Sequence, residues 1–138
     1  YSIIICGKNL PENLRRQIEK PGSNMIYAGF VDDIAVYFKG ADVFLNPVTG
    51  GGGIKTKLVE ALGYNLSCVS TTSGAQGIPL HITGEKLLVT PDNDWDQFTN
   101  AISSLKKQAT IPQSFFDYFY WDNIAGNAAS IIENQLND

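Results

Sequence analysis

Basic runs, histidine and long apolar stretches are what this chain has little of. Only 17% of its 138 residues are charged, and the net charge is −4. Nucleic-acid binding draws on Lys and Arg to neutralise phosphates, so a mildly acidic chain without a basic run is a poor fit for it. Locally, Lys55 and Lys57 form one small cationic cluster. No stretch approaches about 18 consecutive apolar residues, and no basic-then-apolar leader opens the chain. These absences predict a soluble, intracellular, cytoplasmic protein, and they leave membrane association open. His81 is the only histidine, so a histidine-based metal site cannot be assembled. A Ser-His-Asp triad would have to use that one residue, and no G-x-S-x-G elbow accompanies it. His81 is therefore expected in a polar loop or on the surface. Cys6 and Cys68 lie in apolar runs without metal-ligand spacing and are expected to be free, buried thiols in a reducing compartment. The chain begins at Tyr1, directly before a strand pattern, which suggests a piece of a longer protein.

What is present is enough apolar material for one core, 43% of the residues, arranged as alternating short runs. "SIIIC" (Ser2 to Cys6), Asn24 to Ala28, "ADVFLNP" (Ala41 to Pro47), "LSCVST" (Leu66 to Thr71) and "KLLVT" (Lys86 to Thr90) read as five strands. Between and after them helices are expected over Pro11 to Lys20, from the caps Asp32 and Asp33 to about Lys39, and over Ile54 to Tyr64. Two more are expected over Asp94 to Lys107 and Tyr120 to Gln135. Ile111-Pro112 and the aromatic run Phe115 to Trp121 are expected as a turn and packing anchor. Apolar, unalternating strands separated by helices indicate an α/β fold, a Rossmann-like three-layer α/β/α domain with a parallel sheet of about five strands. No repeat, low-complexity tract or linker divides residues 1–138, so a single domain is expected.

Four consecutive glycines, Gly50 to Gly53, stand between the third strand and its helix. In a doubly wound sheet, ligands bind outside the carboxyl ends of the strands, which is where this stretch falls. Glycines allow close backbone approach and positive φ, and the unpaired N–H groups of a helix start favour a phosphate. Lys55 and Lys57 add positive charge near the same point. The alternative is a plain flexible surface loop. Two familiar phosphate loops fit poorly. Ile54 stands where a Walker-type loop needs its last glycine, and no acidic residue ends a strand about 20 residues on, as a dinucleotide fingerprint requires. Lys57 and Glu60, three apart, share a helix face, while Leu58, Ala61 and Leu62 form the buried stripe. Glu60 could accept hydrogen bonds from paired sugar hydroxyls or form a surface ion pair with Lys57, and spacing alone leaves both open.

In order, "IIICGKNLPENL", "NMIYAGFVDDIAVYFKGADVFLNP", "GGGGIKTKLVEALGYNLSCVSTTSGAQGI", "GEKLLVTPDNDWDQFTNAI" and a late aromatic helix resemble the C-terminal, donor-binding domain of GT-B retaining glycosyltransferases, family four or glycosyl transferases group one. The likeness covers nearly the whole chain. It implies that residues 1–138 are the nucleotide-sugar-binding half of a glycosyltransferase whose N-terminal acceptor domain is absent. Gly51, Gly52, Gly53 and Ile54 would meet the donor phosphates and sugar, with Lys55 and Lys57 as candidate phosphate stabilisers and Glu60 on the ribose hydroxyls. Phe30 and Val31 would border the nucleobase, and "TTSGAQGI" would border the site. The family's first glutamate position falls on Gly52, where backbone N–H groups could replace the missing carboxylate. The scheme implies no metal and no cofactor, the nucleoside-diphosphate sugar being substrate, and the fragment alone would be inactive. Two rivals share the layering. A flavodoxin-like binding or regulatory module is one, although Cys6-Gly7-Lys8 and Asn46-Pro47 end the strands where a response regulator needs acids. A GT-B-fold sugar-nucleotide epimerase is the other, and it would call on a histidine. Trp121, Phe119, Trp95 and Tyr64 are expected to be packing residues, with apolar surface left exposed where the absent domain would sit.

Overall fold

The computed structural model describes residues 1–105 and 109–136. The chain divides into two compact units, residues 1–37 and residues 38–138. The first holds strand β1 (Ile3–Cys6), helix α1 (Glu12–Ile18) and strand β2 (Met25–Gly29). Helix α2 (Ile34–Gly40) carries the chain across the boundary, and the Asp33 carboxylate caps it by accepting from the Ala35 amide at 2.9 Å.

β1 and β2 pair in parallel with Ile3 opposite Met25, and the register slips between Ile5 and Cys6 so that Cys6 faces Gly29. α1 packs on β2 through the buried Ile18. The apolar run of β1 is not buried throughout. Ile4 and Ile26, paired in the register and so on one face, are both more than half exposed. An unalternating apolar run makes both faces fit for burial, but only packing elements brought by the fold can cover them.

The second unit is built on strands β3 (Val43–Asn46), β4 (Ser67–Thr71) and β5 (Leu87–Thr90), with helices α3 (Thr56–Gly63), α4 (Trp95–Ser104), α5 (Gln113–Phe119) and α6 (Trp121–Leu136). Its sheet is parallel throughout in the order β3-β4-β5, and every residue of the central β4 is buried. The fold class is thus α/β with parallel strands, Rossmann-like as expected. The five strands hydrogen-bond as one pair and one triplet, a division that no strand's own pattern announces.

α3 packs on β3 and β4 through the expected stripe: Leu58, Ala61 and Leu62 are wholly buried beside Cys68 and Val69. The helix ends because Asn65 turns to φ 62°, while the Tyr64 and Leu66 amides close on Glu60 and Ala61 carbonyls. Asn65 then serves two partners: its side chain accepts from the Ile111 amide at 2.9 Å, and its carbonyl accepts from the buried Lys86 ammonium at 2.9 Å. Asp94 caps α4 by accepting from the Gln97 amide. α4 ends at Ser104, with Leu105 extended (φ −60°, ψ 133°), and the last two residues of the helix expected to Lys107 lie outside the described residues.

Ile111-Pro112 and the aromatic run, expected together as a turn and packing anchor, instead enter and form helix α5, with Pro112 at its start. Phe115 and Phe119, four apart, bring their rings to 4.9 Å, and Phe115 is the buried anchor. Trp121 is not a packing residue: it is 78% exposed at the start of α6, whose described residues are all exposed. Tyr64 stacks on Phe38 at 5.4 Å, and Trp95 meets Phe98 edge-on, each keeping one side in water. Among the described residues no helix is long and apolar enough to cross a membrane.

Candidate functional site

Parallel strands bring their carboxyl ends to one edge, and in the second unit that edge is polar. Asn46 pairs with Ser70, and Thr71 pairs with Thr90 in the register, all four buried. Buried polar groups need partners, and these have them. The Asn46 amide donates to Ser70 Oγ at 2.9 Å and to the Gly74 carbonyl at 3.1 Å. Thr71 Oγ1 donates to the Val48 carbonyl and accepts from the Gly74 amide at 3.1 Å. The turn after β4 is also tied to β5's end, where the Asp92 carboxylate accepts from the Ser73 amide at 2.9 Å and from Ser73 Oγ. Those bonds from Ser73 hold the Asp92 carboxyl below the usual carboxylate range.

From this edge the chain runs through Val48 into the glycine stretch. Gly51 and Gly53 sit at φ 81° and 77°, where side chains are strained, so these two are glycine for a backbone reason. Gly50 and Gly52 carry no positive φ, and nothing lies within 4 Å of where a Cβ would be on any of the four. The stretch is therefore bent at two points and open around its surface. The position where the family resemblance places a glutamate, Gly52, has both the room and the backbone to accept one.

Lys55 does not extend outward. Its ammonium donates back to the carbonyls of Gly51, Gly53 and Gly52 at 3.0, 2.9 and 3.4 Å, so its charge sits inside the curl of the loop. An ammonium has three donors, and here each has a carbonyl. α3 starts at the next residue, and a helix start leaves its first amides, those of Thr56 and Lys57, without intrahelical acceptors. One turn on, Lys57 Nζ and Glu60 Oε2 are 2.7 Å apart. Both side chains are about half exposed, so the pair stabilises the helix by only about 0.2–0.5 kcal/mol and opens readily.

Gly51, Gly52, Gly53, Ile54, Lys55, Lys57 and Glu60 thus share one loop and one helix of the second unit. Phe30 and Val31 belong to the first unit. There Phe30 follows β2, is 62% exposed, and carries the Lys8 ammonium 4.0 Å from its ring centroid, a cation–π contact. The Lys8 loop is held by the Gly7 amide on the Gly29 carbonyl at 2.7 Å and by the Tyr27 hydroxyl on the Gly7 carbonyl at 2.8 Å.

Asn46, Ser70 and Asp92 were not singled out from sequence, and Thr71, Gly74 and Gly77 were read only as part of the bordering segment "TTSGAQGI". A faint signal existed in the hydroxyls of "CVSTT", polar groups in an otherwise apolar strand. Through their side chains, Asn46, Ser70, Thr71 and Asp92 have long-range partners 19 to 28 residues away, beyond any local pattern. His81 is exposed on a single 3-10 turn, Leu80–Ile82. Both cysteines are free, Cys68 buried and Cys6 half-buried. Burial pushes the Cys68 thiol up to about 12 against the opposing pull of Lys86, and raises Cys6 more modestly. Among the described residues, no group of three or more His, Cys, Asp or Glu side chains is placed to hold a metal ion.

A family model described as glycosyl transferases group 1 matches residues 1–108, a span that takes in β1 through α4 and every candidate ligand residue. No curated protein matches the chain.

Proposed function

The chain belongs to the glycosyl transferases group 1 family and is a glycosyltransferase domain, and from that premise we propose that it binds the donor, a nucleoside-diphosphate sugar, at the glycine stretch. The observation that carries this reading is the pairing of two positive-φ glycines, in open space at the carboxyl edge of a parallel sheet, with an immediately following helix start. An anionic diphosphate is the ligand such a helix start favours, through its free amides and the positive end of its dipole. Lys55 adds a charge beneath the loop, and Lys57 adds one beside it. Glu60 takes the ribose hydroxyls by giving up Lys57, an exchange that costs little because the ion pair is half exposed.

In the proposed reaction a hexose passes to a glycan or lipid-linked acceptor with retention at the anomeric carbon. Negative charge grows on the departing diphosphate, and helix amides and lysine charges placed in advance stabilise it there more than in the bound substrate. Backbone N–H groups around Gly52 supply the sugar contact that a carboxylate would otherwise make.

The test is a calorimetric and NMR titration of UDP, GDP and ADP into the full chain, wild type and Glu60→Ala. One diphosphate is expected to bind, with shifts over Gly51 to Lys57. The substitution should weaken it about tenfold, as loss of hydrogen bonds to a charged group does. Failure of all three to bind, or equal binding by Glu60→Ala, overturns the reading.

A further inference from the structure

We propose, resting on the donor-site reading for its functional meaning, that the turn after β4 is a clamp that holds the glycine stretch in shape, with Thr71 and Gly77 as its two positioning residues. Thr71 is wholly buried at the end of β4, and its hydroxyl proton goes to the Val48 carbonyl, just before the glycines begin. The same oxygen accepts from the Gly74 amide, so one side chain ties the turn to the entry of the loop. At the exit, Ile54 lies against Gly77. A Cβ on Gly77 would stand 2.7 Å from Ile54 Cγ1, and Gly77 has φ 82°, so only glycine lets the turn and the loop end approach this closely.

Between these two pins the Lys55 ammonium gathers the loop carbonyls. The clamp is itself anchored on both sides, by Asn46 of β3 on the Gly74 carbonyl and by Asp92 on Ser73. The physical need is plain. Consecutive glycines have more freedom to lose than any other residues, and a loop that orders only on binding spends ligand affinity on that ordering. Pins at entry and exit remove the freedom beforehand. Thr71 and Gly77 touch no ligand; they act through the loop.

The experiment uses the full chain carrying Thr71→Val, Thr71→Ser, Gly77→Ala and, as control, Thr83→Val. Thr83 is equally buried and donates to the Leu80 carbonyl at 2.8 Å, so its loss removes a comparable bond that does not touch the loop. The first readout is backbone amide relaxation of Gly51 to Gly53 without ligand, and the second is the UDP titration. Thr71→Val and Gly77→Ala are expected to drop those amides from order parameters of about 0.85 toward 0.6. Affinity should fall about tenfold with them. Thr71→Ser should restore both, and Thr83→Val should lower the melting temperature without loosening the loop. Wild-type order in Thr71→Val, or equal loosening by Thr83→Val, overturns the clamp even if UDP binds. Loosening confined to the Thr71→Val and Gly77→Ala variants, in a chain that binds no diphosphate, upholds the clamp and overturns the donor-site reading.

Discussion

A single methyl group added at Gly74 probes the polar edge on which the loop stands. A Cβ there would lie 2.5 Å from Ser70 Oγ, 2.6 Å from Asn46 Nδ2 and 2.9 Å from Thr71 Oγ1. None of these atoms is the tip of a long side chain that can swing into water, because Asn46 is only 7% exposed and Ser70 and Thr71 are fully buried. Relief therefore requires moving the Asn46 amide, which breaks its bonds to Ser70 Oγ and the Gly74 carbonyl. Buried hydrogen bonds cost roughly 1 kcal/mol each to lose, and overpacking adds roughly 1–3 kcal/mol. The stiffer unfolded chain returns about 0.5 kcal/mol. The net loss expected for Gly74→Ala is about 3 kcal/mol, a large share of the roughly 5–15 kcal/mol that holds a domain folded. At about 3 °C per kcal/mol for a chain of this size, the melting temperature should fall by about 10 °C. Urea unfolding followed by tryptophan fluorescence reads this directly, since Trp95 and Trp121 both belong to residues 38–138. The double variant Gly74→Ala with Ser70→Ala removes the nearest clashing oxygen and should lose at least about 1 kcal/mol less than the two single losses added. A Gly74→Ala loss under about 1 kcal/mol, or strict additivity in the double variant, would refute the packing described.

Two further outcomes concern titrating groups. The Asp92 carboxyl is lowered in the folded chain by its bonds from Ser73. Its stabilising effect is therefore complete above the ordinary value of about 3.9 and is lost as the pH falls through the lowered one. The melting-temperature difference between wild type and Asp92→Asn should be flat from about pH 7 to 5 and shrink below about pH 4; a difference unchanged down to pH 2 contradicts the assignment. Cys68, pushed up to about 12, should be thiolate in only about one chain in ten thousand at pH 8. Peptide mapping after iodoacetamide treatment should find Cys6 labelled first in the native chain and Cys68 only after denaturation, and equal native rates would contradict its burial.

How much was legible before any coordinates follows from which interactions are local. A strand or helix declares itself through neighbours one to four residues away, so all five strands and α1 through α4 were visible, with the Asp33 cap and the Leu58, Ala61, Leu62 stripe. The order of strand, glycines and helix was visible for the same reason, and it located the candidate anion site. α5 was hidden because Pro112 and a crowd of aromatics look like a turn when the four-residue spacing of Phe115 and Phe119 is not weighed. The exposure of Ile4, Ile26 and Trp121 could not be read, because hydrophobicity states what a residue tolerates and not which element arrives to cover it. Nor could the inward turn of the Lys55 ammonium, since spacing gives a lysine's position and the loop's curl decides its acceptors. Sequence alone determined where the glycine stretch would stand, between the third strand and its helix. Tertiary structure alone decided what holds it there, because Asn46, Thr71, Gly74 and Gly77 meet Ser70, Val48 and Ile54 only once β3 and β4 lie side by side.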